Sequence, residues 1–184
     1  MGVTNMRLIK AFIAGIFGLA IIITLFSLLI PSTVRVSRVV LINGTAGEVY
    51  AQVANFQNWK NWHPIFTDEL ASINLGPVSS GDSVYRIVHH GSEVILQLLS
   101  KDSAVIRFLL KTENKNDIDN GIVITKLSEM KAVQVEWRAE TKLHWYPWEK
   151  VYGIFVDKLA GPGYEAALMG LKDFIEKKPS STPH

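Results

Sequence analysis

The sequence predicts an α+β domain carried behind one transmembrane helix. Three observations point there. Residues 11–30 form an uncharged apolar run of 20 residues. Residues 82–143 hold β-branched, partly alternating segments separated by short polar breaks. From residue 151 onward, apolar side chains recur at helical spacing.

The apolar run AFIAGIFGLAIIITLFSLLI is long enough to cross a hydrocarbon core of about 30 Å at about 1.5 Å of rise per residue. Arg7 and Lys10 precede it and Pro31 ends it. A cleaved signal peptide has an apolar core of about 7–15 residues followed by a small-x-small site. The run here is longer, and Leu29-Ile30-Pro31-Ser32 offers no such site, so the expectation is an uncleaved single-pass anchor within residues 1–32. The flanking Arg7 and Lys10 favour an inside amino terminus, which puts the body on the non-cytoplasmic side of the membrane; Arg35 and Arg38 behind the run pull the other way.

Charge and composition narrow the function. Of the 19 basic side chains two, Arg7 and Lys10, precede the anchor, leaving 17 against 17 acidic ones in the body. A neutral body argues against a nucleic-acid partner. With no cysteine in the chain, disulfides, thiolate metal sites and a cysteine nucleophile are excluded.

The body is expected to span residues 33–178, with 179–184 as a frayed tail. Residues 33–43 read as a strand, with Val34, Val36, Val40 and Ile42 on one parity together with Arg38. Thr45-Ala46-Gly47-Glu48 has the form of a capping box and opens a short helix with Val49 and Val53 on one face. Trp59 and Trp62 stand one helical turn apart, and Pro64 is expected to close that piece. Candidate strands follow at 82–90, 93–100, 104–111, 122–127 and 131–143; breaks this short imply antiparallel hairpins. In the last strand Val133, Val135, Trp137 and Ala139 alternate with polar residues, which predicts one buried face. In the final helical stretch Val151, Phe155 and Leu159 form one apolar stripe, and Tyr164, Ala167, Leu168, Leu171 and Ile175 form a second. Gly161-Pro162-Gly163 between them is expected to kink or break the helix.

From about Val34 to Lys178 the chain resembles the SRPBCC superfamily (START-like, helix-grip), especially its polyketide cyclase/dehydrase-type branch. The residues that carry the resemblance are Val36-Ser37-Arg38-Val39-Val40-Leu41-Ile42-Asn43, then Val49-Tyr50, the W-x-x-W-x-P segment Trp59-Lys60-Asn61-Trp62-His63-Pro64, Val135-Glu136-Trp137, and Gly170-Leu171-Lys172-Asp173-Phe174-Ile175-Glu176. The resemblance implies a curved antiparallel sheet wrapped around a long C-terminal helix, with a cavity between them for a hydrophobic small molecule or lipid. It implies no cofactor. The candidate ligand-binding residues are Arg38, Trp62, Phe66, Tyr85, Trp137, Val151, Phe155 and Leu159.

Arg38 shares parity with apolar neighbours, and a buried guanidinium needs a carboxylate from a ligand or from the protein; the second, a structural ion pair or a guanidinium reaching water at a sheet margin, is the commoner arrangement. His89 and His90 are adjacent and leave a strand by opposite faces, so they do not converge as a metal site requires. His63 is expected to pack or hydrogen-bond, and His144 has no partner in sequence. The His144-Trp145-Tyr146-Pro147-Trp148 cluster fits either ordinary packing or a bilayer interface. No phosphate loop, dinucleotide loop, nucleophile elbow or zinc-protease motif occurs. Three functions therefore compete. The favoured one is membrane-anchored binding of a hydrophobic ligand. The others are a cyclase- or aromatase-like enzyme and a protein-interaction or stress-response module. No set of residues is assignable as catalytic.

Overall fold

A computed structural model describes residues 2–66, 76–77, 84–89, 92–113, 115–127 and 131–177. Helix α1 (Gly2–Leu29) contains the apolar segment, and Met6–Leu29 is long and apolar enough to cross a membrane. Its large apolar side chains are almost all exposed, which separates it from the buried core helix of a soluble protein.

Strand β1 (Thr33–Asn43) starts straight after Pro31. Helix α2 (Ala46–Val53) follows, held at its start by the capping box: the Glu48 amide donates to Thr45 Oγ1 at 3.2 Å, and the Thr45 amide donates to the Glu48 carboxylate at 2.9 Å. Two 3₁₀ turns, Phe56–Asn61 and Pro64–Phe66, carry the tryptophan segment. Pro64 thus opens a second turn instead of ending the piece, which suits a residue whose missing N–H is no loss at a first helical position.

The strands β2 (Gly76–Pro77), β3 (Val84–His89), β4 (Ser92–Lys101), β5 (Val105–Thr112), β6 (Ile118–Leu127) and β7 (Ala132–Lys142) complete a seven-stranded sheet in the order β1-β7-β6-β5-β4-β3-β2. The strand pairs are antiparallel, and β1 closes against β7 with Arg38 opposite Trp137. The register shifts between Leu98 and Ser100, an irregularity of the kind that bends a strand and helps curve the sheet. The concave face is written at every second position, as Val36 and Ile42, Val133 and Val135, Ile122 and Ile124, Ile106 and Phe108, and Leu96 and Ile87 are all buried.

β6 begins at Ile118, earlier than the sequence implied. Asp119, Asn120 and Gly121 read as a polar break, yet Asn120 is fully buried and satisfied: its Nδ2 donates to the Ile118 carbonyl at 3.0 Å and its Oδ1 accepts from Trp137 Nε1 at 3.0 Å. Residues 82–83, His90, Gly91, 128–130 and the tail from 178 lie outside the described residues, as does the side chain of His89.

Helix α3 (Pro147–Glu176) is one continuous 30-residue helix with Pro162 inside it. The expected break at Gly161-Pro162-Gly163 does not occur. Two glycines of α3 serve close approach: a Cβ at Gly161 would run into the Arg38 guanidinium, and one at Gly170 would collide with the Trp62 carbonyl oxygen. These glycines let the helix settle into the concave sheet; they do not end it. The start of α3 also holds the end of α1. Lys150 is only 2% exposed, and its Nζ donates to the Ile30 carbonyl at 3.1 Å and to Ser32 Oγ at 2.6 Å. The Leu143 amide donates to the Ser32 carbonyl at 2.7 Å beside it.

Candidate functional site

An inner cavity of about 240 Å³ lies between α3 and the sheet. Trp59, Ile87, Leu96, Phe108 and Trp137 wall it from the sheet side and the 3₁₀ turn, and Ala160, Gly163, Tyr164 and Ala167 wall it from α3. Trp137 is where the sequence placed it, on the inward parity of β7. Trp59 is held by its own donor, with Nε1 giving a hydrogen bond to the Val53 carbonyl at 3.1 Å. Its ring meets Phe108 and Trp137 edge-on at 5.4 and 5.5 Å, the favoured geometry for packed aromatics.

Among the described residues that wall this cavity, His63 and Tyr164 are the titratable ones. The His63 ring stacks on Trp59 with centroids 5.4 Å apart, and its Nδ1 accepts the Ile65 amide at 3.2 Å, which assigns the ring proton to Nε2. Burial disfavours the imidazolium and pulls His63 down to about 4. Burial likewise disfavours the phenolate and pushes Tyr164 up to about 12. Both groups are neutral at pH 7, and each carries a donor.

A second, larger hollow of about 530 Å³ lies where α3 begins. Ile118, Thr141 and Leu143 form one side, and Tyr152, Val156 and Ala160 the other. Its rim is polar. Glu149 accepts from the His144 amide at 2.6 Å and faces His144 Nδ1 at 3.1 Å, giving His144 the partner that its place in the sequence did not reveal. Ala160 borders both the inner cavity and this outer groove.

The remaining candidates fall elsewhere. Arg38 keeps its inward parity, but its guanidinium pairs with Asp157 on α3 at 2.9 and 3.2 Å and also donates to the Ser37 carbonyl at 2.8 Å. This is a structural ion pair at the sheet margin; it holds the Asp157 carboxyl below the usual carboxylate range. Trp62 is buried against Trp59 and His63, behind the cavity wall. Phe66 is half-buried and meets the His63 ring edge-on at 6.0 Å. Tyr85 faces a separate hollow of about 220 Å³ with Phe56, Leu98 and Lys101.

Val151, Phe155 and Leu159 are 50%, 50% and 62% exposed and border neither cavity. This corrects the expectation that their stripe faces the sheet. The face that packs inward in this half of α3 bears Lys150, Gly153, Asp157 and Gly161. It is written in glycines and charges, so apolar periodicity points to the opposite side of the helix. Ala160, Gly163, Tyr164 and Ala167 are the wall residues on α3 that the candidate set lacks, as it lacks Trp59, Ile87, Leu96 and Phe108 opposite; for α3 the second stripe, which contains Tyr164 and Ala167, extended backward by whole turns, is the signal that finds them.

No family model and no curated protein matches the sequence. Solved structures do match. A START superfamily protein from Mycobacterium smegmatis aligns with a TM-score of 0.60 at 19% identity, covering 79% of this chain and 99% of that one. An uncharacterized protein from Bacillus thuringiensis aligns with a TM-score of 0.59 at 15% identity, covering 78% and 99%. The di-domain ARO/CYC BexL, from the BE-7585A biosynthetic pathway, aligns with a TM-score of 0.62 at 17% identity, over 79% of this chain and 48% of that one. Identities this low establish the fold and nothing finer. The chain has the START-like helix-grip fold, behind an apolar N-terminal helix of membrane-spanning length.

Proposed function

We propose that this chain is a membrane-anchored START-like domain that holds a hydrophobic small molecule or lipid in the inner cavity, with the body on the non-cytoplasmic side. The carrying observation is the composition of the cavity wall: its lining is apolar and aromatic and half open to solvent, with His63 and Tyr164 as the titratable donors among the described residues. That is the makeup of a site that recognises an apolar body bearing a hydrogen-bond acceptor. At about 240 Å³ the cavity is slightly below the common range of about 300–1,000 Å³, so it suits a small ligand or one end of a longer one.

The enzymatic alternative is less well supported. A general acid or base works best with a pKa near the operating pH. Burial moves His63 down to about 4 and Tyr164 up to about 12, both away from neutrality. The pair is suited to holding a ligand and poorly suited to moving its protons.

Gly163 provides the test. It borders the cavity, and a Cβ there meets no atom within 4 Å. Gly163 is itself exposed, so Gly163→Phe should cover the open side of the cavity without displacing the fold. The neutral dye N-phenyl-1-naphthylamine should bind the wild-type chain with a rise in fluorescence, and the variant should lose that binding at an unchanged melting temperature. Equal binding by both proteins would remove the inner cavity as the site.

A further inference from the structure

The two cavities lie along one stripe of α3. Tyr152, Val156 and Ala160 line the outer groove, and Ala160, Tyr164 and Ala167 line the inner cavity. Successive members are three or four residues apart, so they follow one another on a single helix face. Ala160, the residue common to both spaces, has the smallest side chain that a chiral residue can offer. The outer groove also has a fixed relation to the anchor. Lys150, two residues before Tyr152 of the groove-lining stripe, is buried on the carbonyl of Ile30 and the hydroxyl of Ser32, just past the last turn of α1. Leu143, a groove residue, bonds Ser32 through its amide. The groove therefore opens within a few residues of the point where α1 leaves the apolar phase.

The surface around that opening is of interfacial kind. Trp145 and Trp148 are 60% and 68% exposed, and Tyr146 stacks on Trp148 with centroids 4.9 Å apart. Exposed tryptophans, with half-buried Tyr146 stacked on one of them, beside the end of a membrane helix match the belt these residues form at the headgroup level. The exposed Val151, Phe155 and Leu159 continue the same apolar surface along α3.

We propose that the outer groove is the portal through which an amphiphile with an apolar chain passes from the bilayer into the inner cavity, with Ala160 at the junction. The inference rests on the membrane-anchored binding reading above and adds to it a source and a route. It also gives a use to the difference in size. A chain too long for the inner cavity would leave its remainder in the groove, where the polar rim at Lys115, Asn116 and His144 can solvate a headgroup.

The test uses the full chain in phosphatidylcholine vesicles containing palmitate with a chain-end diazirine, with light pulses at successive times and adducts located by mass spectrometry. In the wild-type protein adducts should form in the groove, near Tyr152 and Val156, before they form in the inner cavity, near Tyr164. Val156→Trp, which obstructs the groove alone, should cut the rate of inner-cavity labelling at least tenfold. Gly163→Phe should remove inner-cavity adducts and leave those in the groove. Should Val156→Trp fail to fold, Tyr152→Trp at a half-exposed position makes the same test. Inner-cavity labelling at the wild-type rate in a folded groove variant would overturn the portal and leave the cavity reading standing. Groove adducts without any inner-cavity adducts in the wild-type protein, whether the probe is supplied in vesicles or from solution, would overturn both.

Discussion

His63 and Tyr164 face the same apolar cavity, and their protonation is set by desolvation instead of by charged partners. For His63 this has a measurable consequence. Its folded pKa, about 4, lies below the ordinary histidine value of 6.5, so the unfolded chain binds the proton more readily. The stabilising contribution is complete above pH 6.5 and is lost as pH falls from 6.5 toward 4. Integrated over that window it is worth about 3 kcal/mol. Urea midpoints measured between pH 6.5 and 5, above the range where most carboxylates titrate, should fall for the wild-type chain and stay nearly level for His63→Leu. Parallel slopes would mean that the ring is hydrated when folded. Trp62 gives a second residue-scale expectation. It is 4% exposed and its Nε1 reaches the Gln52 carbonyl at 3.4 Å, so Trp62→Ala should cost about 3–5 kcal/mol by chemical denaturation. A loss below about 1 kcal/mol would contradict its burial.

At the scale of elements, α3 explains both what was legible in the sequence and what was not. Strands announced themselves through alternation, because a sheet with one wet face must place apolar residues at every second position. That logic found β1, β4, β5 and β7 nearly to their ends and put Trp137 on the inward parity. It failed at Asp119-Asn120-Gly121, where a buried side-chain hydrogen bond replaces apolar content. It failed again on the first half of α3, where close approach and an ion pair replace it. Gly161 and Gly163 test that account with the same substitution two positions apart. At Gly161 an added methyl would push the Arg38 guanidinium, the movable end of a long side chain, off its Asp157 contact, so Gly161→Ala should carry a penalty that Gly163→Ala does not. At Gly163 the added methyl meets open space, so Gly163→Ala should stabilise the helix by up to about 1 kcal/mol. In an Arg38→Met background the penalty at Gly161 should shrink while the gain at Gly163 persists. Equal effects at both positions would show that helix propensity, and not the approach of Arg38, decides the matter.

On the scale of the whole molecule, α1 and the body are joined at one small junction: Lys150 on Ile30 and Ser32, and Leu143 on Ser32. The concave face, its aromatic cluster and the inner cavity are built from residues beyond Pro31. A chain beginning at Ser32 keeps the Ser32 partners of Lys150 and Leu143, and water replaces the Ile30 carbonyl at the ammonium. It should therefore melt cooperatively and bind N-phenyl-1-naphthylamine from solution as tightly as the full chain does. What it should lose is supply. On the proposed membrane-anchored reading, tethering beside a bilayer would raise the effective concentration of apolar ligand at the groove, by roughly two to four orders of magnitude for well-matched tethers. The truncated body should then load from phosphatidylcholine vesicles at least tenfold more slowly than the full chain, with its affinity in solution unchanged. If loading from vesicles proceeds equally fast without α1, the helix does not serve delivery. If affinity in solution falls as well, α1 contributes to the cavity and the division between anchor and body is misplaced.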